Sequence, residues 1–131
     1  MADDDFWVAE VIKQLDIKKG SLQRLWKEEQ LYLKEVAEAQ AQLDKLKQEG
    51  ADGADVRNAA KIQQEAIKMV WRSRESTGQA LRELNVFLDG SSGEELIMNT
   101  QSYQSALALS EEVTAASQAE INKRDASPSN V

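Results

Sequence analysis

The sequence predicts an all-α fold, an antiparallel three-helix bundle with coiled-coil-like packing. Three observations predict it. Apolar residues recur with 3-4 spacing along three long stretches. The composition, rich in Ala, Glu, Gln, Lys, Leu and Ser with 5% aromatics and one proline, favours helix over sheet. Two short glycine-containing segments separate the patterned stretches, and short connections make antiparallel neighbours.

The chain of 131 residues has the size of one domain, so the bundle is read as a single unit over 1–131. Residues 1–14 are expected to form a leader. Asp3, Asp4 and Asp5 suit a helix N-terminus through the dipole. Trp7, Val11 and Leu15 come next at helical spacing, so the leader either continues into the first helix or frays as an arm. Phe6 and Trp7 are expected to dock on the bundle, with a free aromatic surface as the alternative.

Helix one is expected over about 15–49. Its seam reads Leu22, Leu25, Glu29, Tyr32, Val36, Ala39, Leu43 and Leu46, broken only by Glu29. Ile17–Leu46 would make a rod of roughly 45 Å, with a stripe too narrow to hold it folded alone in water. Gly20 lies near its head, either marking the true start with Ser21 as N-cap or sitting as a weak point inside the helix. Gly50, Asp52, Gly53 and Asp55 carry the turn and cap chemistry that ends it.

Helix two is expected over about 54–89. Its seam is Val56, Ala59, Gln63, Ala66, Val70, Ser73, Thr77, Leu81, Leu84 and Leu88. Ser73 to Thr77 is small and polar, which either lets a neighbour approach closely or leaves a weakly packed waist. Gly90 is the expected C-cap, and Ser92 with Glu95 reads as a capping box for a third helix over about 92–121. That helix has the weakest seam: Leu96, Thr100, Tyr103, Leu107, Ser110, Val113, Ser117 and Ile121. Residues 122–131, polar and containing the proline, are expected to be disordered.

Cysteine and histidine are both absent. That removes disulfides, thiolate metal sites, thiol nucleophiles and the commonest general base. No P-loop, dinucleotide fingerprint or nucleophile elbow occurs. The adjacent pairs Glu28–Glu29, Glu94–Glu95 and Glu111–Glu112 point about 100° apart on a helix and do not converge. The expected function class is therefore not an enzyme, and no cofactor or metal is expected. Net charge is −7, with the acidity concentrated in the last third, so no phosphate-binding footprint is present and nucleic acid is not an expected partner. No apolar run suits a membrane span, the first ten residues are acidic where a secretory signal is basic, and a cytoplasmic location is expected.

What remains is surface. Lys18, Lys19, Arg24 and Lys27 form a local basic patch within an acidic protein, with Glu28 beside it. Trp26 flanks Leu25 and Trp71 flanks Val70. Each tryptophan either covers the edge of the seam or anchors a protein partner. The candidate partner-binding residues are Lys18, Lys19, Arg24, Trp26, Lys27, Glu28 and Trp71.

The same stretch carries a longer string. Ile17-Lys18-Lys19-Gly20, Arg24-Leu25, Lys27-Glu28, Tyr32, Lys34-Glu35 and Leu43-Asp44-Lys45-Leu46 resemble the first helix of the tubulin-binding cofactor A family. Asp55-Val56-Arg57, Ala60, Ile62, Gln64, Glu65, Leu81, Leu84 and Leu88 are similar to its second helix, so the resemblance covers roughly residues 15–90. It departs in its longer leader, in a poorly matching third helix and tail, and in Trp71 where familiar members carry a helix-bending proline. That last departure implies a straighter helix two. The resemblance implies a three-helix chaperone, monomeric or homodimeric, that captures β-tubulin folding intermediates and hands them on for heterodimer assembly with α-tubulin. It implies no nucleotide hydrolysis. It implies other tubulin-folding cofactors as further candidate partners, and association with the microtubule cytoskeleton. The competing reading of the seams is a structural coiled-coil or adaptor module acting by self-association.

Overall fold

The computed structural model describes the backbone of residues 2–126 and the side chains of residues 6–123. The described residues are all-α. They form four helices: α1, Ala2–Gln48; α2, Gly53–Gly90; α3, Glu95–Met98; and α4, Gln101–Ala126. Of the two readings of residues 1–14, the structure has the continuous helix, since α1 already begins at Ala2. It also passes through Gly20 without a break. The cause lies on either side, where Leu15 and Leu22, one heptad apart, are both fully buried. Two such side chains contribute about 1.5–3 kcal/mol each, more than one glycine costs a helix interior.

Gly50 ends α1 in the left-handed region, at φ 69°. The amide of Gly50 donates to the Lys47 carbonyl at 3.2 Å, and that of Ala51 to the Leu46 carbonyl at 3.0 Å. This is a Schellman closure, which satisfies carbonyls the helix would leave orphaned.

The second connection departs from expectation. α2 runs into Gly90, and the positive φ, 92°, belongs to Gly93. Gly93 is the third residue of a turn closed by the Glu94 amide on the Ser91 carbonyl at 3.1 Å, a position that favours glycine. Ser92 and Glu95 make no capping box: the N-cap of α3 is Glu94, and no side chain caps it. The cap that does form lies further on. Thr100 Oγ1 accepts from the Tyr103 amide at 3.2 Å and donates to the Ile97 carbonyl at 2.6 Å, so Thr100 starts α4.

This break is why the expected third helix is two. Ile97 is fully buried and Tyr103 nearly so. Six residues apart, they would point about 120° away from each other on an unbroken helix. Breaking at Asn99–Thr100 lets both face inward. The break also resets the phase of α4: Ala106, Leu109, Ser110 and Val113 are buried, whereas Leu107, Ser117 and Ile121 are exposed, as is Leu96 on α3. α4 continues helical to Ala126, into the segment expected to be disordered, and the rest of that segment lies outside the described residues.

The chain divides into two compact units, Arg24–Gln79 and the combination of Met1–Gln23 with Ala80–Val131. The first unit is made of parts of α1 and α2. Its seam buries Leu43, Ala59, Val70, Ser73 and Thr77, with Leu25, Glu29, Tyr32, Val36, Ala39 and Leu46 half-buried. Gln63 Nε2 donates to Gln40 Oε1 across the pair. Farther from the turn, Leu25, Glu28 and Tyr32 lie across a gap from Met69, Arg72, Ser73 and Ser76. Numbers rise on one helix as they fall on the other, so the two segments run antiparallel.

The second unit holds the largest fully buried side chains, Leu15, Leu22, Leu84, Ile97 and Val113. Ala80 is buried there, and Leu81, expected in the seam, is half-buried, because the 3-4 alternation reaches Ala80 from Thr77 by a step of three. Ser110 Oγ donates to Asn85 Oδ1 at 2.6 Å, linking α4 to α2. Phe6 and Trp7 do not dock: they are 73% and 48% exposed.

Candidate partner-binding surface

The seven candidate residues fall into both units. Lys18 and Lys19 belong to the one containing α4, and both are engaged within the chain. Lys18 Nζ lies 3.6 Å from a Glu83 carboxylate oxygen and 5.9 Å from the centre of the Phe87 ring. Lys19 Nζ donates to Ser105 Oγ at 3.2 Å. Both residues are half-buried, their stems covering apolar surface as long cationic side chains do. They serve the packing of α1 against α2 and α4.

Arg24, Trp26, Lys27, Glu28 and Trp71 lie in the other unit. Arg24, Lys27, Glu28 and Leu31 recur at the spacing of one helical face, and all four are exposed, Leu31 at 60%. This face is charged and carries one apolar side chain. Trp26 is half-buried beside the seam. Trp71 is 63% exposed and does not cover the seam edge. Val70 and Ser73 already occupy the seam, and a residue one step from Val70 points about 100° away. Lys68 and Glu75 flank Trp71 at helical spacing and are exposed too.

Between the two helices of this unit runs a groove of about 160 Å³, open to solvent. Leu25, Glu28 and Tyr32 line it from α1, and Met69, Arg72, Ser73 and Ser76 from α2. It exists because the small Ser73 and Ser76 stand where larger side chains would fill the space. Ser73 is 7% exposed, and its Oγ has no hydrogen-bond partner among the described residues. Glu28 and Arg72 both border the groove, and among the described residues no ion pair engages either head group.

Of the groove residues, the sequence marks Glu28 alone as a binding candidate. Met69 and Arg72 are groove residues that only the structure brings out. The available signal is Leu31, a leucine off the 3-4 seam within a highly charged stretch, and the paired serines opposite Leu25 and Tyr32. No group of His, Cys, Asp or Glu suited to a metal occurs among the described residues, and no helix among them is long and apolar enough to cross a membrane. The groove has an apolar floor and opposite charges on its walls, and Trp71 and Leu31 stand exposed.

The comparisons with known proteins agree with one another. Human tubulin-specific chaperone A is 32% identical over 59 residues, covering 45% of this chain and 55% of its own, so the alignment spans about half the length of that curated relative. The solved structure of human tubulin chaperone cofactor A superposes with a TM-score of 0.69 at 25% identity, covering 79% of this chain and 98% of that one. Tubulin folding cofactor A from Arabidopsis thaliana gives a TM-score of 0.66 at 25% identity over the same shares. The family model for tubulin binding cofactor A matches residues 10–119, and with most of the chain inside that match, the protein belongs to the tubulin binding cofactor A family.

Proposed function

We propose that this chain is a tubulin-folding chaperone that captures β-tubulin folding intermediates and hands them on for assembly of the α/β heterodimer. The family match over residues 10–119 carries this reading. The likeness to solved tubulin cofactor A structures supports it as well. In this reading the helices close as an antiparallel three-helix bundle, with α3 and α4 together supplying the third member. The chaperone works in the cytoplasm, associates with the microtubule cytoskeleton and meets other tubulin-folding cofactors at handover.

The exposed face of Arg24, Lys27, Glu28 and Leu31, with Trp71, is the contact surface we assign to β-tubulin. Exposed arginine and tryptophan are the side chains that most often anchor protein interfaces. Lys18 and Lys19 act indirectly, by holding α1 in place. The test is a pulldown from cell extract, in which β-tubulin is expected to be the dominant partner. Charge reversal of Arg24 and Lys27 together is expected to lower its recovery at least tenfold in a chain that remains folded. Unchanged recovery would remove these two residues from the site, and an absence of tubulin with the wild-type chain would remove the function.

Self-association has an observation in its favour, the exposed Phe6, Trp7, Val86 and Leu96 of one unit. Sedimentation equilibrium separates a monomer from a homodimer. A concentration-dependent mass that is lost in a Phe6→Ser, Trp7→Ser double variant would assign these aromatics to a dimer contact.

A further inference from the structure

We infer that the groove between α1 and α2 seats an amphipathic helix of the captured client. The inference rests on the chaperone reading and adds to it the place and the chemistry of contact. The unit 24–79 consists of segments of α1 and α2. Its groove is open to solvent, and a helix laid in a groove is a recurrent recognition mode.

The groove is shaped for such an occupant. Leu25, Tyr32 and Met69 are half-buried and present apolar surface. Ser73 and Ser76 keep the α2 wall low, Ser73 being more than nine-tenths buried and Ser76 exposed. Glu28 and Arg72 place opposite charges on opposite walls. These features define the occupant. It is a helix with an apolar stripe, a basic residue on the α1 side and an acidic residue on the α2 side. One face of an amphipathic helix supplies all three at i, i+3 and i+4 spacing. Electrostatic matching of this kind also fixes the occupant's direction in the groove.

Three variants of the full chain test it, each compared with wild type for capture of refolding β-tubulin on an affinity column and for thermal unfolding by circular dichroism. Ser76 is exposed on the rim, so Ser76→Trp fills the groove without entering the core. Glu28→Arg and Arg72→Glu each reverse one wall. The expected result is capture by wild type and a tenfold or greater loss in S76W, with smaller but clear losses in the two charge reversals and unchanged melting in all three. If wild type captures β-tubulin and the folded variants match it, the groove is not the seat, while the chaperone reading stands. If wild type fails to capture, the chaperone reading falls, and the client assigned to the groove falls with it. Should S76W prove unstable, the charge reversals decide alone, because both replace side chains whose head groups no ion pair engages among the described residues.

Discussion

Ser73 and Thr77 are buried on the α2 seam, and neither hydroxyl finds a partner among the described residues. Hydrophobic side chains of similar size would pack there without an unsatisfied group. Thr77→Val keeps the shape and removes the oxygen, so it is expected to raise unfolding free energy by about 1 kcal/mol, measured by urea denaturation. A loss of stability would mean that the hydroxyl has a partner in solution. Leu22 and Leu84 are the opposite case, with apolar side chains fully enclosed. Truncating either to alanine is expected to cost about 2–5 kcal/mol through lost burial plus the cavity left behind. Trp71 contributes little to folding at 63% exposure. Trp71→Ala is expected to move stability by less than about 0.5 kcal/mol while lowering β-tubulin capture, a split that a packing role would not produce.

Among the elements, the connections decide where helices begin and end. α4 starts at Thr100, whose side chain meets both the Ile97 carbonyl and the Tyr103 amide. Thr100→Ala is expected to cost about 1 kcal/mol, whereas Ser92→Ala, at the residue that looks like a cap in the sequence, should cost less than about 0.5 kcal/mol. Comparing the two in one urea series distinguishes the observed cap from the expected one. The glycines divide in the same way. Gly50 needs its positive φ, and alanine there is expected to cost about 1 kcal/mol. Gly20 is interior helix with open space where a Cβ would stand, so Gly20→Ala is expected to stabilise by about 0.5–1 kcal/mol. Opposite signs from the same substitution would show that backbone conformation, and not residue type, sets the effect.

At the scale of the whole molecule, the charged surface and the family membership point the same way. The chain has 16 basic and 23 acidic side chains, so a basic patch on it is a local feature set against an acidic whole. The patch that reads as five neighbouring positions in sequence is divided by the fold. Lys18 and Lys19 are spent on Glu83, Phe87 and Ser105. Arg24, Lys27 and Glu28 remain exposed. Contacts that depend on exposed charge are screened by salt, so capture through this face is expected to weaken as ionic strength rises from about 0.05 to 0.5 M, read on the same affinity column. Capture indifferent to salt would shift the weight to Trp71, Leu31 and the groove.

The all-α class, the turn at Gly50 and the seams of α1 and α2 were legible in the amino-acid order alone. Each is set by local periodicity or by one residue's backbone freedom, and Leu22 to Leu46 and Val56 to Leu88 kept their 3-4 spacing with one slip, at Leu81. The family string over Ile17–Leu46 was legible for the same reason, being contiguous. Tertiary structure alone decided the rest. Whether a helix passes through Gly20 depends on burial at Leu15 and Leu22. Whether the chain breaks at Thr100 depends on Ile97 and Tyr103 both needing the core. Whether a lysine is free to meet a partner depends on what another helix brings beside it. The groove is the clearest instance. Leu25, Glu28 and Tyr32 acquire a meaning only when α2 sets Met69, Arg72, Ser73 and Ser76 against them, because a gap between two helices is a property of neither one.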